Sequence, residues 1–181
     1  MTFKRHLAHA AMLFPALALA SCSTRRPAPR HAPVVTPAPS PKPAAALSPA
    51  AYVATLGSID LFVVRASDMA LSRSADPAVR ALATQLGEEH RGLAAQLSMA
   101  GRRLDALPAA RLLGREERML ALLDREPRFD VAFRRYLGVA HTRSWEAHAA
   151  FAVRGSSATL RPVAANGERV ERAHLALLGR G

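Results

Sequence analysis

The chain of 181 residues carries 25 Lys and Arg against 14 Asp and Glu, a formal net charge of +11, and half of its residues are apolar. That length accommodates one domain of ordinary size, ~100 to 150 residues, plus appendages. Aromatic residues make up only 5% while Ala and Leu dominate, which favours helices, because these side chains lose little rotamer freedom there. So basic a chain would ordinarily point to nucleic acid. Here the charge is unevenly placed: Lys4, Arg5, Arg25, Arg26, Arg30 and Lys42 precede residue 48 and all 14 acidic residues follow it, leaving +5 from residue 48 onward.

Residues 1–21 read as an export signal. Lys4 and Arg5 precede an apolar stretch from Leu7 to Ala20, within the ~7 to 15 residues of a signal core and short of the ~20 that span a bilayer. The stretch ends in Leu19-Ala20-Ser21-Cys22, which resembles the lipobox of bacterial lipoprotein precursors. The resemblance implies cleavage before Cys22, acylation of its thiol with palmitate-like chains, and a further chain on the new amino terminus. At ~0.8 kcal/mol per buried CH₂, several chains anchor a protein durably where one would not. Cys22 is the only cysteine, so a disulfide within the chain is excluded. Ser23 in place of an Asp resembles lipoproteins sorted to the outer membrane. The expected location is the cell envelope, anchored to the outer membrane and facing the periplasm, which removes nucleic acid as a partner.

Residues 22–47 form a spacer. Pro27, Pro29, Pro33, Pro37, Pro39, Pro41 and Pro43 alternate with small and basic residues, a composition that buries too little apolar surface to fold and favours extended polyproline geometry, ~3.1 Å per residue. Arg25, Arg26 and Arg30 either lie against anionic lipid or lipopolysaccharide, at ~1 kcal/mol each, or form part of a solvated linker.

The folded part is expected over 48–181. Ser48-Pro49 starts a helix with an N-cap hydroxyl and a Pro at the first position. Tyr52, Leu56, Ile59, Val63, Ala66 and Ala70 give it an apolar face ending near Ser74. Asp76-Pro77 starts a second helix, with Val79, Leu82, Leu86, His90, Leu93, Leu97 and Ala100 inward and Gly101 as its close. Residues 101–127 are irregular apart from a short helix over 115–124. A third long helix follows from about 128 to 153, carrying Phe129, Phe133, Leu137, Ala140, Ser144, His148 and Phe151 inward. The fourth runs from about 158 to 178 with Leu160, Val163, Gly167, Val170, His174 and Leu177 inward, locally weakened at Asn166-Gly167. Four long helices, none apolar all round, can bury their stripes only against one another. The expected fold is all-α, an antiparallel four-helix bundle with a longer, partly helical connection between its second and third helices.

The stretches "DPAVRALATQLGEEHRGLAAQL" (76–97), "FDVAFRRYLGVAH" (129–141) and "LRPVAANGERVERAHLAL" (160–177) resemble the domain of unknown function 4142 family. The resemblance implies an exported bacterial protein with a ferritin-like four-helix bundle, and its name implies no activity. The family's acidic-His pair on the second helix matches Glu89-His90, its third-helix histidine matches His141, and its final His-Leu matches His174-Leu175. Where the family often has a Glu on the first helix this chain has Val63, leaving Asp60 and Asp68 as the carboxylates there.

His90, His141 and His174 carry whatever chemistry the domain has. Neutral imidazole binds Zn, Cu, Fe and Ni, so a transition-metal site with Glu171 or Glu89 assisting is one reading. A di-iron site would need a Glu from each of two helices and Glu-x-x-His from each of the others, and only Glu171-Arg172-Ala173-His174 has that spacing. The other reading is a set of core histidines that bond across helices and fix their register. Trp145 is expected to anchor packing rather than face a cofactor. No nucleophile elbow or phosphate-cradling glycine loop occurs, so no catalytic residue is assigned. The expected role is structural or one of interaction with an envelope partner, the alternative a metal-binding or redox bundle.

Overall fold

A computed structural model describes residues 47–179. The expectations of an export signal, acylation at Cys22, contact of Arg25, Arg26 and Arg30 with a lipid surface and a proline-rich stalk fall outside the described residues. Helix α1 spans Pro49–Arg73 and α2 Pro77–Arg102. Both begin where the cap signals place them: Ser48 Oγ accepts from the Ala51 N–H at 3.2 Å, and Asp76 Oδ1 from the Ala78 N–H at 2.8 Å. The link between them is so short that α2 turns straight back along α1. Helices α3 (Gly114–Asp124), α4 (Phe129–Arg154) and α5 (Leu160–Leu178) follow, α4 and α5 forming the second hairpin.

Each long helix has two long neighbours: α1 packs on α2 and α4, and α5 packs on α4 and α2. The C-terminal half of α1 and the N-terminal halves of α2 and α4 share one apolar cluster, including Ile59, Phe62, Leu86, Phe133 and Leu137. The opposite ends share another, built from Tyr52, Leu56, Leu97, Phe151 and Leu160. It follows that α2 and α4 run the same way on opposite corners, that adjacent helices are antiparallel, and that the chain must travel the length of the bundle between α2 and α4. This is the single-crossover arrangement of ferritin-like bundles.

The crossover is pinned by polar bonds. Ser58 Oγ on α1 accepts from the Leu113 N–H at 2.8 Å and donates to Glu116 at 3.2 Å, and Arg143 of α4 pairs with the same buried Glu116. At its far end the Arg73 guanidinium donates to the carbonyls of Leu123, Asp124 and Glu126, at and just beyond the C-terminus of α3. Because α1 touches α2, α3 and α4, it has the fewest polar faces. It is the one described helix apolar and long enough to cross a membrane, and most of it is buried inside the bundle.

Two local expectations are corrected. Gly101 does not close α2; the helix runs on to Arg102 and the chain then folds over Gly101, whose carbonyl accepts from Leu104 and Ala106 at 2.9 and 3.0 Å. On α5 the buried stripe is Leu160, Ala164, Gly167, Glu171 and His174, while Val163, Val170 and Leu177 are half-buried on its flank. The rotation follows from polarity and size. Glu171 has partners only inward, and the His148 ring occupies the space a side chain at Gly167 would need, 2.2 to 2.5 Å from an added Cβ. The Asn166-Gly167 pair accordingly sits in a continuous helix.

A methyl group at position 101 would lie 2.1 Å from the Ala106 carbonyl oxygen, which is backbone and cannot step aside cheaply. Gly101→Ala is expected to cost ~1 to 3 kcal/mol, as overpacking does, seen as a lower urea midpoint. An unchanged midpoint would show that the turn after α2 is not fixed by this contact.

Candidate metal centre

Between the two apolar clusters lies a buried polar layer to which every long helix contributes. It holds Asp60 from α1, His90 from α2, His141, Ser144 and His148 from α4, and Glu171 and His174 from α5. The rings of His90, His141 and His174 form a near-equilateral triangle, with centroids 5.0, 5.2 and 5.1 Å apart. One ligand atom from each of His90, His141, Glu171 and His174 can be chosen so that all four lie within 4.8 Å of one another. The structure thus gathers three of the histidines singled out by sequence together with Glu171. Glu89 stands outside the group, bonded to the outer nitrogen of His174.

Each imidazole is oriented from behind. Asp60 Oδ1 is 2.9 Å from His90 Nδ1, the Leu137 carbonyl accepts from His141 Nδ1–H at 2.7 Å, and Glu89 bonds His174 Nε2. With the outer nitrogens engaged, His90 Nε2, His141 Nε2 and His174 Nδ1 face the centre. An oxygen acceptor behind a ligating imidazole fixes its tautomer and raises its basicity, the usual support for metal-binding histidines. Glu171 completes the set: Ser144 Oγ donates to its Oε1 at 2.7 Å, while its Oε2 and His174 Nδ1, both fully enclosed, have no hydrogen-bond partner.

The tautomers, assigned from these partners, create a specific demand. Because a carbonyl only accepts, His141 must carry its proton on Nδ1 and present a lone pair at Nε2. That lone pair faces His90 Nε2 at 3.2 Å. Either His90 donates there, so that the Asp60–His90 pair carries an extra proton, or two lone pairs meet and a cation must sit between them. Glu171 adds a second buried carboxylate, 3.8 Å from His90 Nε2 and 4.0 Å from His141 Nε2. Burial pulls the Glu171 carboxyl up, but His174, His90, His141 and the Ser144 hydroxyl outweigh it and hold it down to about 2. Asp60 moves the other way, raised chiefly by its burial. Burial pushes His141 down to about 3 and His148 to about 4, so both rings are neutral. His174 is raised: burial lowers it, but Glu171 and Glu89 more than compensate.

Residues beyond the sequence-derived set complete the layer. Asp60 had stood out only as a leftover carboxylate; its signal was an acid one turn from Leu56 on an otherwise apolar face. Tyr52 and His148 form a further pair, hydroxyl to Nδ1 at 2.8 Å, with His148 Nε2 enclosed and unpartnered. Asp68, the other carboxylate of α1, is on the surface in an ion pair with Arg91 at 2.7 Å. Trp145 is half-buried, its indole nitrogen enclosed without a partner.

The chain belongs to the family described as Domain of unknown function (DUF4142), whose model matches residues 34–179. No curated protein matches it. A solved structure described as CopM in the Cu(II)-bound form is similar in fold, with a TM-score of 0.64 at 13% sequence identity, covering 75% of this chain and 95% of that one. At that identity the likeness concerns the arrangement of helices.

The pKa shifts fix the sign of the acid response. His141 and His148 titrate near 6.5 when unfolded and at about 3 and 4 when folded, so in that window the unfolded chain binds more protons. Their contribution is complete above about pH 6.5 and is lost as pH falls towards the folded values. Glu171, held low on folding, adds a loss below its ordinary carboxylate range, whereas Asp60 and His174, both raised on folding, act in the opposite sense. In chelator-treated protein the urea midpoint is expected to fall continuously from neutral pH to about pH 4; a flat or rising profile would contradict neutral, buried rings.

Proposed function

We propose that this protein is a lipid-anchored component of the cell envelope whose bundle binds a single transition-metal ion through His90, His141, His174 and Glu171. The observation that carries the reading is the inward convergence of three imidazole nitrogens and a carboxylate, each imidazole backed by an oxygen acceptor and two of the four inner atoms left without a partner. A layer of histidines serving only to fix register would have closed its own hydrogen bonds, because an unmet buried polar atom costs ~1 to 3 kcal/mol. Here Glu171 Oε2 and His174 Nδ1 have no hydrogen-bond partner and lie 3.8 Å apart, too far to bond each other. A divalent ion would also balance the two buried carboxylates.

Three imidazoles and one carboxylate suit Cu(II), Zn, Ni and Fe, and among divalent ions the intrinsic order of affinity places Cu(II) first. CopM was solved in a Cu(II)-bound form on this fold; for the present chain, copper follows from its own donors. A bridged di-iron centre is not supported. Val63, where the family often has a Glu, is buried in an apolar cluster, and Asp60 stands behind His90 rather than beside Glu171. The chemistry a bound ion supplies is the neutralisation of this layer and the holding of the metal away from water.

The purified protein is expected to bind close to one equivalent of Cu(II) by elemental analysis after dialysis, with a rise in melting temperature on loading. His90→Ala should abolish stoichiometric binding, and Asp60→Asn should weaken it by ~10 to 100-fold, the range for residues that orient a ligand. A stably folded wild-type protein that takes up no metal and shows no thermal shift would refute the reading.

Anchoring rests on Cys22 as the acylated residue, with the arginines at 25, 26 and 30 beside the headgroups. Cys22→Ser should move the protein from the membrane pellet to the soluble periplasmic fraction. Full membrane retention of that variant would rule the anchor out.

A further inference from the structure

The metal centre has a partly exposed side chain at its margin. His90, His141 and Glu171 are sealed and His174 is nearly so, yet the Glu89 side chain bonded to His174 is 42% exposed. It lies on the seam between α2 and α5, which a second polar bridge, Gln96 to Asn166 at 3.0 Å, also spans nearer the other end of the bundle. The same imidazole that meets solvent-facing Glu89 through Nε2 turns Nδ1 to Glu171, 3.8 Å away in the core. His174 is therefore the one ring among the three with a nitrogen on each side of the wall.

We infer that Glu89 is a capture ligand through which a divalent transition-metal ion reaches the buried site, with His174 as the residue that carries it across; this rests on the metal-binding reading above. Glu89 is suited to the task by charge and by hold. Its carboxyl reaches solvent while bonded inward to His174, and Gln85 Nε2 donates to its Oε1 at 3.0 Å and holds it in place. An arriving ion exchanges part of its hydration shell for the Glu89 carboxylate, which competes with and opens the Glu89–His174 bond. The freed imidazole turns toward the seam, accepts the ion on its Nδ1 lone pair and swings back, where Glu171, His90 and His141 take up the remaining positions. The Nε2–H then donates again to the Glu89 carboxylate. Only coordination and hydrogen bonds are exchanged, so no electron or proton is transferred.

A residue that acts in capture should govern the rate of binding more than its strength. Cu(II) uptake by the intact protein can be followed in stopped flow by quenching of Trp145, the sole tryptophan, one turn from His141. Glu89→Gln, which keeps a hydrogen-bond acceptor for His174 but removes the charge, should slow association about tenfold, at the lower end of what electrostatic focusing provides. Its equilibrium affinity, by competition dialysis, should fall by less than its association rate does, because the amide oxygen still accepts from His174 Nε2–H. Gln85→Glu, which adds a carboxylate at the same rim, should speed association at low ionic strength and lose that gain in high salt. A wild-type rate in Glu89→Gln, or a rate loss matched by an equal loss of affinity, would overturn the capture role. So would an unaltered rate in Gln85→Glu, a measurement that stands if the first variant does not fold. Wild-type protein that binds no copper would refute the metal reading itself, whereas tight binding with unaltered variant rates would refute capture alone.

Discussion

Two carboxylates buried in a helical bundle, Asp60 on α1 and Glu171 on α5, set the terms for everything around them. An ionised carboxylate removed from water is costly unless it is paired and hydrogen-bonded. The pairing here is supplied by imidazoles from α2 and α4 and from α5 itself, so satisfying those two groups requires all four long helices in one register. A shift of any helix by one turn, about 5.4 Å, would separate Asp60 from His90 or Glu171 from Ser144 and leave a charge in the core without a partner. The layer acts on this bundle as a buried polar residue acts on a coiled coil, selecting one alignment among several of similar apolar content.

The position of that layer matters as much as its composition. It is bounded on one side by the cluster around Phe62, Phe133 and Leu137 and on the other by that around Tyr52, Leu97 and Phe151. Apolar packing at both ends keeps water out and the local dielectric low, which strengthens each hydrogen bond in the layer and makes each missing one more costly. The crossover contributes at a distance. By bolting residues 113–116 to Ser58 and Arg143, it ties α1 to α4 on the side facing away from α2 and α5. Among the described residues no such strap crosses the α2–α5 seam, where the Glu89 side chain bonded to His174 is 42% exposed.

Fold and site carry different information. The likeness to a copper-bound bundle at 13% identity concerns the path of the helices; which atoms face the centre is a property of this chain. Val63 packs in an apolar cluster, and the acid one turn earlier, Asp60, orients a histidine. The result is a nitrogen-rich donor set with one carboxylate, matched to one borderline ion better than to a pair of bridged irons.

Much of this was legible in the sequence. Apolar residues at three- and four-residue spacing and the caps at Ser48-Pro49 and Asp76-Pro77 determined the helices, because both signals are local and depend on neighbours within a turn. His90 and His174 stood out because polar residues interrupt their stripes. Tertiary structure decided the rest. The facing of α5 is ambiguous in the sequence, since Val163 and Val170 satisfy a helical period as well as Ala164 and Glu171 do, and only contact with Ser144 and the His148 ring selects between them. Asp60 could not be assigned a role from α1 alone, because its partner is thirty residues away on another helix. Sequence periodicity says which side of a helix turns inward; which polar groups meet there, and which nitrogen of each imidazole remains free, depends on how four helices are aligned along their length, and no single helix encodes that.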